Sequence, residues 1–308
     1  MDFFLTLSNV LVLFSLILIG FIVGKKNVVD AQGQAQISRL VLYVTMPATI
    51  ITSMQLDFSL DKLSLALKIG LIMIICYFFI FIFSSFLVKR LDLKPQQKDI
   101  FLAGSIMGNN SFMGYPLIIA ILGQEALFYA VLSSGLLYEL ISWSLGAYII
   151  GRNGDKEKDF TIKKILLSPG IISVALGLGL FLLQIKLPAI AFNSLKILSG
   201  ATSPLAMLVV GMMLSRSDFK RALTNKYIYL ISFFKLLVYP LLILAISSFV
   251  GLEGYLKIIP ALMLSLPTGA YVGIFSDNLG SDTDLASQLV FVSSLLSVIT
   301  IPIVTIFM

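Results

Sequence analysis

The sequence contains no histidine and only one cysteine. Without histidine the chain cannot form a Ser–His or Cys–His catalytic pair, and histidine metal sites are excluded too. Cys76 lies inside an apolar run and has no second cysteine with which to form a disulfide or a thiolate metal site. We therefore expect no enzyme activity, no metal site and no cofactor.

Charged residues are also scarce. They make up 12% of the chain, whereas 58% of its 308 residues are hydrophobic and the mean hydropathy is +1.00. A soluble domain carries about 25% charged residues, and a soluble protein of this size could not bury so much apolar surface. The composition predicts a polytopic protein in a lipid bilayer. We attribute its net charge of +6 to loops that set membrane orientation, not to a nucleic-acid partner.

Apolar runs of about 20 residues, the length that spans a bilayer, recur along the whole chain. We predict an all-α fold of ten transmembrane helices, at residues 4–23, 37–56, 65–88, 99–121, 125–150, 165–185, 193–214, 227–250, 255–277 and 283–307.

Basic residues predict the orientation of these helices. Sixteen Lys and Arg residues fall in the odd-numbered loops and five in the even-numbered loops. Because basic loops stay in the cytoplasm, we expect a plasma-membrane protein with a cytoplasmic central loop and both termini outside. Five helices on each side of that loop must insert in opposite orientations, as in an inverted repeat. We predict one five-helix repeat over 1–150, the cytoplasmic loop over 151–164, and a second, inverted repeat over 165–308.

A shift of 157 residues relates the two halves weakly. It aligns Gly20 with Gly177, Pro47 with Pro204, and Leu122-Gly123 with Leu279-Gly280. Pro47 and Pro204 are predicted helix breaks, and each lies among Ser and Thr residues. The hydroxyls of these Ser and Thr residues are expected to bond backbone carbonyls that proline leaves without a donor. The alternative is that they bind the ligand directly.

The fourth predicted helix is interrupted near its middle. Glycine and asparagine are poor helix formers, and proline removes a backbone donor. Irregular backbone at bilayer depth is tolerated only inside protein or beside a water-filled cavity. The polar and helix-breaking residues are Gly108, Asn109, Asn110, Ser111, Gly114 and Pro116.

The ninth predicted helix is interrupted at the equivalent place by Pro267-Thr268-Gly269. Paired interruptions in corresponding positions are the best sequence pointer to a transporter binding site. Broken helices offer free N–H groups to a carboxylate and free carbonyls to a cation. We predict that Asn109, Asn110, Ser111, Pro267, Thr268 and Gly269 bind the substrate. The alternative is a pair of kinks with packing glycines.

Two charged residues lie near the middle of predicted helices, Glu139 in the fifth and Lys235 in the eighth. A charge at the bilayer centre costs about 2.5–3.5 kcal/mol on insertion scales, so it is rarely without a role. Either the two form a structural ion pair, or Glu139 takes up a coupling proton while Lys235 attracts an anionic substrate. Neither residue has a charged counterpart under the 157-residue shift.

The segments Asn109–Leu117 and Leu266–Phe275 resemble the fourth and ninth helices of the auxin efflux carrier family. This family includes bacterial malate and malonate permeases and, more distantly, the plant PIN-type carriers. The resemblance covers essentially the whole chain. It implies two inverted five-helix repeats with broken, crossing helices 4 and 9, a fold like that of bile-acid/sodium symporters, and elevator-like movement. By position, Asn109 matches the family's crossover asparagine and Pro267 its ninth-helix proline.

The chain departs from the plant carriers in two respects. It has Gly108 in place of their fourth-helix proline, and its central loop has only about 14 residues. A small carboxylate suits such a short member better than auxin.

We therefore predict a secondary transporter of a small organic anion, either a mono- or dicarboxylate such as malate or malonate, or an auxin-like acid. A proton or sodium is the candidate coupling ion, and a homodimer is left open as an assembly. The alternatives are a sodium-coupled carrier of a bulkier amphipathic anion, an intramembrane enzyme, and a receptor without transport. No segment resembles a phosphate-binding loop, which argues against a built-in ATP motor.

Overall fold

The computed structural model describes residues 3–155, 167–216 and 219–308, and these residues are almost entirely helical. Residues 156–164 of the predicted central loop lie outside the described residues, as do residues 165–166 at the start of the predicted sixth helix. The departures from helix that matter for function are two short interruptions, at residues 107–109 and 265–269.

The first half contains nine α-helices within its described residues. They are α1 (Phe3–Lys25), α2 (Ala31–Leu40), α3 (Met46–Ser53), α4 (Leu60–Lys89), α5 (Pro95–Ile106), α6 (Tyr115–Leu122), α7 (Gln124–Ala130), α8 (Leu136–Ile141) and α9 (Ala147–Gly151).

The second half contains eight within its described residues. They are α10 (Pro169–Leu182), α11 (Ala189–Ser215), α12 (Phe219–Thr224), α13 (Lys226–Phe233), α14 (Tyr239–Phe249), α15 (Tyr255–Leu264), α16 (Ala270–Leu279) and α17 (Thr283–Ile306).

Six helical stretches of the described chain are long and apolar enough to cross a membrane, so the molecule is an all-helical, multi-pass membrane protein. These stretches are Leu7–Lys25, Leu60–Lys89, Gln124–Gly151, Ala189–Ser215, Lys226–Phe249 and Thr283–Ile306. Shorter apolar helices occupy Asn110–Leu122, Pro169–Leu182 and Tyr255–Leu264. The full count of ten helices in an inverted repeat stays a prediction.

Helix α4 begins earlier than the predicted 65–88. Its first helical residue is Leu60, and the Ser59 side chain caps it by accepting the backbone N–H of Asp61. Lys62 and Lys68 fall in the early turns of this helix. Of the two, only Lys62 lies before the predicted start at residue 65, and a helix end can present such side chains to water.

Several helices contain single wide π-helical turns, and three of these turns end two residues before a proline. Pro47, Pro116 and Pro240 each occupy the second position of the α-helix that follows such a turn. Proline lacks the N–H for an α-helical bond and its ring crowds the preceding turn. A locally widened turn relieves that crowding without ending the helix. The turns are Val41–Thr45, Asn110–Gly114 and Phe234–Val238.

The two halves pack together through small residues of α1 and α11. A Cβ atom on Gly211 would overlap the backbone of Ile17, and one on Gly20 would overlap the backbone of Leu208. Close approach of this kind is the usual basis of helix association in membranes. Large apolar side chains such as Phe78 and Ile75 on α4 face outward instead, as expected against lipid.

Candidate functional site

The two helix interruptions lie against each other and form an antiparallel bridge. The Asn109 N–H donates to the Pro267 carbonyl at 2.8 Å, and the Gly269 N–H donates to the Met107 carbonyl at 2.8 Å. Gly108 and Thr268 are the bridged pair. Short extended segments from two distant parts of the sequence therefore replace the helical bonds that each interruption removes. We call these segments, residues 107–111 and 265–269, the crossing.

The crossing is tight enough to require glycine. A Cβ atom on Gly269 would lie 2.5 Å from the Gly108 carbonyl oxygen and 2.9 Å from the Tyr138 hydroxyl. One on Gly114 would lie 2.7 Å from a methyl group of Leu266. Glycine is used here for close backbone approach.

Side chains from other elements cover the carbonyl end of α5. The Thr268 hydroxyl donates to the Gly104 carbonyl at 3.1 Å, and Lys235 Nζ donates to the Ser105 carbonyl at 3.0 Å. The backbone N–H of Thr268 in turn donates to the hydroxyl of Ser293 on α17, at 3.1 Å. The last turn of a helix has no intrahelical partners for its carbonyls, so these contacts satisfy part of the broken end.

The predicted polar residues of the fourth helix gather at the start of the turn Asn110–Gly114. Asn109, Asn110 and Ser111 are all buried. Both polar atoms of the Asn110 amide and the Ser111 hydroxyl have no hydrogen-bond partner among the described residues. The Tyr77 phenol lies beside the Asn110 amide but outside hydrogen-bonding geometry. Unsatisfied buried polar groups cost free energy, so a cluster of them at a helix start is a strong candidate for a ligand contact.

Pro267 lies within the crossing and Pro116 in the first turn of α6, whereas the two remaining predicted proline breaks lie in α3 and α11. Pro47 lies in the first turn of α3, and Pro204 lies inside α11. The Thr49 hydroxyl donates to the Thr45 carbonyl at 2.9 Å, which is not the carbonyl that Pro47 leaves without an N–H donor. The hydroxyls of Thr49 and Thr202 also meet at 2.7 Å. Helix α11 contacts the turn Asn110–Gly114, so this region packs beside the crossing.

Glu139 and Lys235 are not brought together. Both are buried, yet no ion pair joins them in the described part of the chain. Glu139 Oε1 accepts a long hydrogen bond of 3.5 Å from the Tyr271 hydroxyl, and its Oε2 has no partner among the described residues. The indole of Trp143 lies beside the carboxyl group. Lys235 instead contacts the broken end of α5.

The Glu139 carboxyl group also faces the first turn of α10. A Cβ atom on Gly170 would lie 3.1 Å from Oε1. The start of a helix is positively polarised and favours a nearby carboxylate. Stacked rings of Tyr138 and Tyr271, with Trp143 across the edge of Tyr271, enclose the same region. The acidic group therefore lies between the fifth predicted helix and the sixth.

A buried carboxylate anchors the other end of α5. Asp99 accepts hydrogen bonds from both Nε and Nη2 of Arg152, the first at 2.8 Å, and from Asn153 Nδ2 at 2.6 Å. This cluster ties α5 to the residues that follow α9. By contrast, Asp57 is fully exposed, and its hydrogen bond and charge interaction with Lys186 lower its pKa.

Sequence reasoning did not identify Gly104, Ser105 or Ser293 as parts of the site. Two of them contribute only a backbone carbonyl, and any residue type can do that. A serine in an apolar helix is likewise too common to stand out. The one signal present was the isolated charge of Lys235, whose partner could not be read from the sequence.

Comparison with known proteins shows to which family the chain belongs. The chain matches the membrane transport protein family over residues 5–305. An uncharacterised transporter of Methanocaldococcus jannaschii is 25% identical over 298 residues, covering 95% of each chain. An uncharacterised transporter of Methanothermobacter thermautotrophicus is 26% identical over 300 residues, covering 96% of each chain. Since the match spans nearly its full length, this chain belongs to the auxin efflux carrier family of membrane transport proteins.

Proposed function

We propose that the protein is a secondary transporter of a small organic anion, a mono- or dicarboxylate such as malate or malonate, that binds at the crossing. The observation that carries this proposal is the set of unpartnered polar groups at Asn110 and Ser111. Beside them the turn Asn110–Gly114 and helix α16 both begin. The first turn of a helix presents unpaired N–H groups and a positive dipole end, which suit a carboxylate.

The proposed mechanism uses ten membrane-spanning helices in two inverted repeats, with the interrupted helices crossing at the substrate. The antiparallel pairing of two interruptions, one from each half, supports it. The 157-residue shift and the basic loops support the same arrangement, with both termini outside the plasma membrane and the central loop in the cytoplasm. Alternating access would proceed by elevator-like movement. A homodimer remains part of the proposal as a candidate assembly.

Glu139 is our candidate for proton coupling. Its carboxyl group is buried between the fifth predicted helix and α10, with one oxygen unpartnered among the described residues. The membrane potential acts on each translocated charge with about 2.3 kcal/mol per 100 mV. With the inside negative, an anion could leave the cell without coupling, whereas its import needs a co-transported cation. One proton carried by Glu139 would balance the charge of a monocarboxylate, and a dicarboxylate would need a second co-transported cation.

Flux into proteoliposomes tests the function. Purified protein would be reconstituted with labelled malate, malonate, a monocarboxylate and an auxin-like acid, under clamped potential and with imposed proton or sodium gradients. We expect saturable flux of at least one small carboxylate. The Asn109→Ala, Asn110→Ala double variant should lose that flux.

The matched control is Asn193→Ala, which removes an exposed amide from α11 and should transport normally. Wild-type flux by the double variant would refute the site. No flux of any carboxylate by the folded wild-type protein would refute the substrate class.

A further inference from the structure

We propose that Lys235 is a built-in cation at the carbonyl end of α5, where it takes the place of a bound monovalent cation and holds the crossing in register. The inference rests on the proposed function, since it takes the crossing as the transport site. In this role Lys235 is a positioning residue, because it contacts the helix that carries the crossing and not the substrate.

The broken end of α5 favours a positive charge. A helix terminus concentrates unpaired carbonyls and the negative end of the dipole. Helix α5 ends at Ile106, within a buried stretch, so its last carbonyls take hydrogen bonds from neighbouring protein groups. Thr268 covers the Gly104 carbonyl with a neutral hydroxyl, and Lys235 covers the next carbonyl with an ammonium group 3.0 Å away.

Lys235 has no acidic partner within the part of the chain that the structure describes. Its residue is 3% exposed, and the Ser105 carbonyl accepts its one hydrogen bond there. The buried carboxylates of the described residues have other contacts: Glu139 accepts a hydrogen bond from Tyr271, and Asp99 accepts hydrogen bonds from Arg152 and Asn153. An ammonium group buried without a carboxylate is costly, so a position needed only for packing would favour an apolar side chain. The carbonyl end of α5 is the feature that compensates this cost.

The second interruption is satisfied differently. Helix α15 ends at Leu264, and Ser265 covers its last carbonyls: the Ser265 N–H donates to Ala261 at 3.0 Å and the hydroxyl to Leu262 at 2.8 Å. The residue equivalent to Lys235 under the 157-residue shift is Phe78, which faces outward on α4. A cation is therefore not a general requirement of a broken helix in this fold. In the described residues, the lysine covers the interruption that follows α5.

The experiment replaces the tethered cation with a free one. Lys235→Ala creates room for a small cation, and Lys235→Met removes the charge while keeping much of the volume. Lys68→Ala, which removes an exposed lysine from α4, is the matched control. Carboxylate flux and melting temperature would be measured in sodium, ethylammonium or N-methylglucamine chloride at equal ionic strength.

We expect both Lys235 variants to lose flux by about ten- to a hundredfold in N-methylglucamine, the equivalent of one charged hydrogen bond. Sodium or ethylammonium should restore part of the Lys235→Ala flux and raise its melting temperature, because a ligand that binds only the folded protein stabilises it. Lys235→Met should respond less, and wild type and Lys68→Ala should not respond. Lys235→Arg should retain flux.

Three results would overturn the proposal. The first is wild-type flux in Lys235→Met. The second is a Lys235→Ala protein that is folded but inactive, and whose flux and melting temperature are the same in sodium, ethylammonium and N-methylglucamine. The third is a wild-type protein that requires sodium for transport. If the wild type moves no carboxylate at all, the proposed function fails, while the melting temperature of Lys235→Ala in the three salts still tests the cation role.

Discussion

Replacing Gly269 by alanine adds one methyl group at a tight point of the crossing. Its Cβ would lie 2.5 Å from the Gly108 carbonyl oxygen, whereas ordinary contacts begin at 3.4 Å, so the two segments must separate by about 0.9 Å. The backbone of Gly269 has φ −74° and ψ 150°, which alanine adopts readily. The cost is therefore steric and not a cost of backbone strain.

The size of the effect follows from these distances. Overpacking a close-packed interior costs about 1–3 kcal/mol. A separation of this size would stretch the two 2.8 Å backbone bonds of the crossing beyond normal hydrogen-bond length. Each such bond contributes about 0.5–1.5 kcal/mol net. We expect Gly269→Ala to lower the free energy of unfolding by about 2–6 kcal/mol.

Gly273, one helical turn further on, is the matched control. No atom lies within 4 Å of a Cβ placed there, and the residue is inside α16. Alanine is favoured over glycine in a helix by about 0.5–1 kcal/mol, so Gly273→Ala should melt at or above the wild-type temperature. The assays are thermal unfolding of purified protein and carboxylate flux in proteoliposomes. Wild-type melting and flux in Gly269→Ala would show that the two segments do not meet as described.

Three further substitutions test separate contacts. Thr268→Val keeps the shape of the side chain but removes the hydroxyl that covers the end of α5, so it should lower the free energy of unfolding by about 1–2 kcal/mol and reduce flux. Thr268→Ser keeps the hydroxyl and should retain both stability and flux. Equal stability and flux in the two variants would contradict a role for the hydroxyl. Asn110→Leu removes an unsatisfied buried amide, so the substrate-free protein should gain about 1–3 kcal/mol of stability and lose transport, whereas a structural asparagine would lose stability. Asp99→Asn weakens a buried charge cluster with a half-exposed arginine and should cost about 1–3 kcal/mol by thermal unfolding. Its control, Asp57→Asn at a solvent-exposed ion pair, should melt as wild type does.

The interruptions could be predicted because their causes are local. Glycine, asparagine and proline disfavour helix whatever surrounds them, and helices α5 and α15 end at Ile106 and Leu264, just before these residues. The membrane-protein class and the family were likewise predicted and are confirmed, since composition and the segments 109–117 and 266–275 are properties of the chain itself.

Contacts between distant segments could not be predicted. Which carbonyl Lys235 reaches depends on how α5 and the turn Phe234–Val238 pack, and nothing in the pattern of one sequence specifies that rotation. The same holds for Thr268, whose hydroxyl crosses to the other half of the molecule. The wide turns inside Gln124–Gly151 were also missed, because no proline marks them and they follow from packing.

Determining the structure with a transported dicarboxylate bound tests the central claim most directly. We predict that a carboxylate group of the ligand lies within hydrogen-bond distance of the Asn110 amide and of backbone N–H groups at the start of the turn Asn110–Gly114 or of helix α16. A ligand bound elsewhere, with residues 107–111 and 265–269 still closed on each other and free of contact with it, would contradict the account.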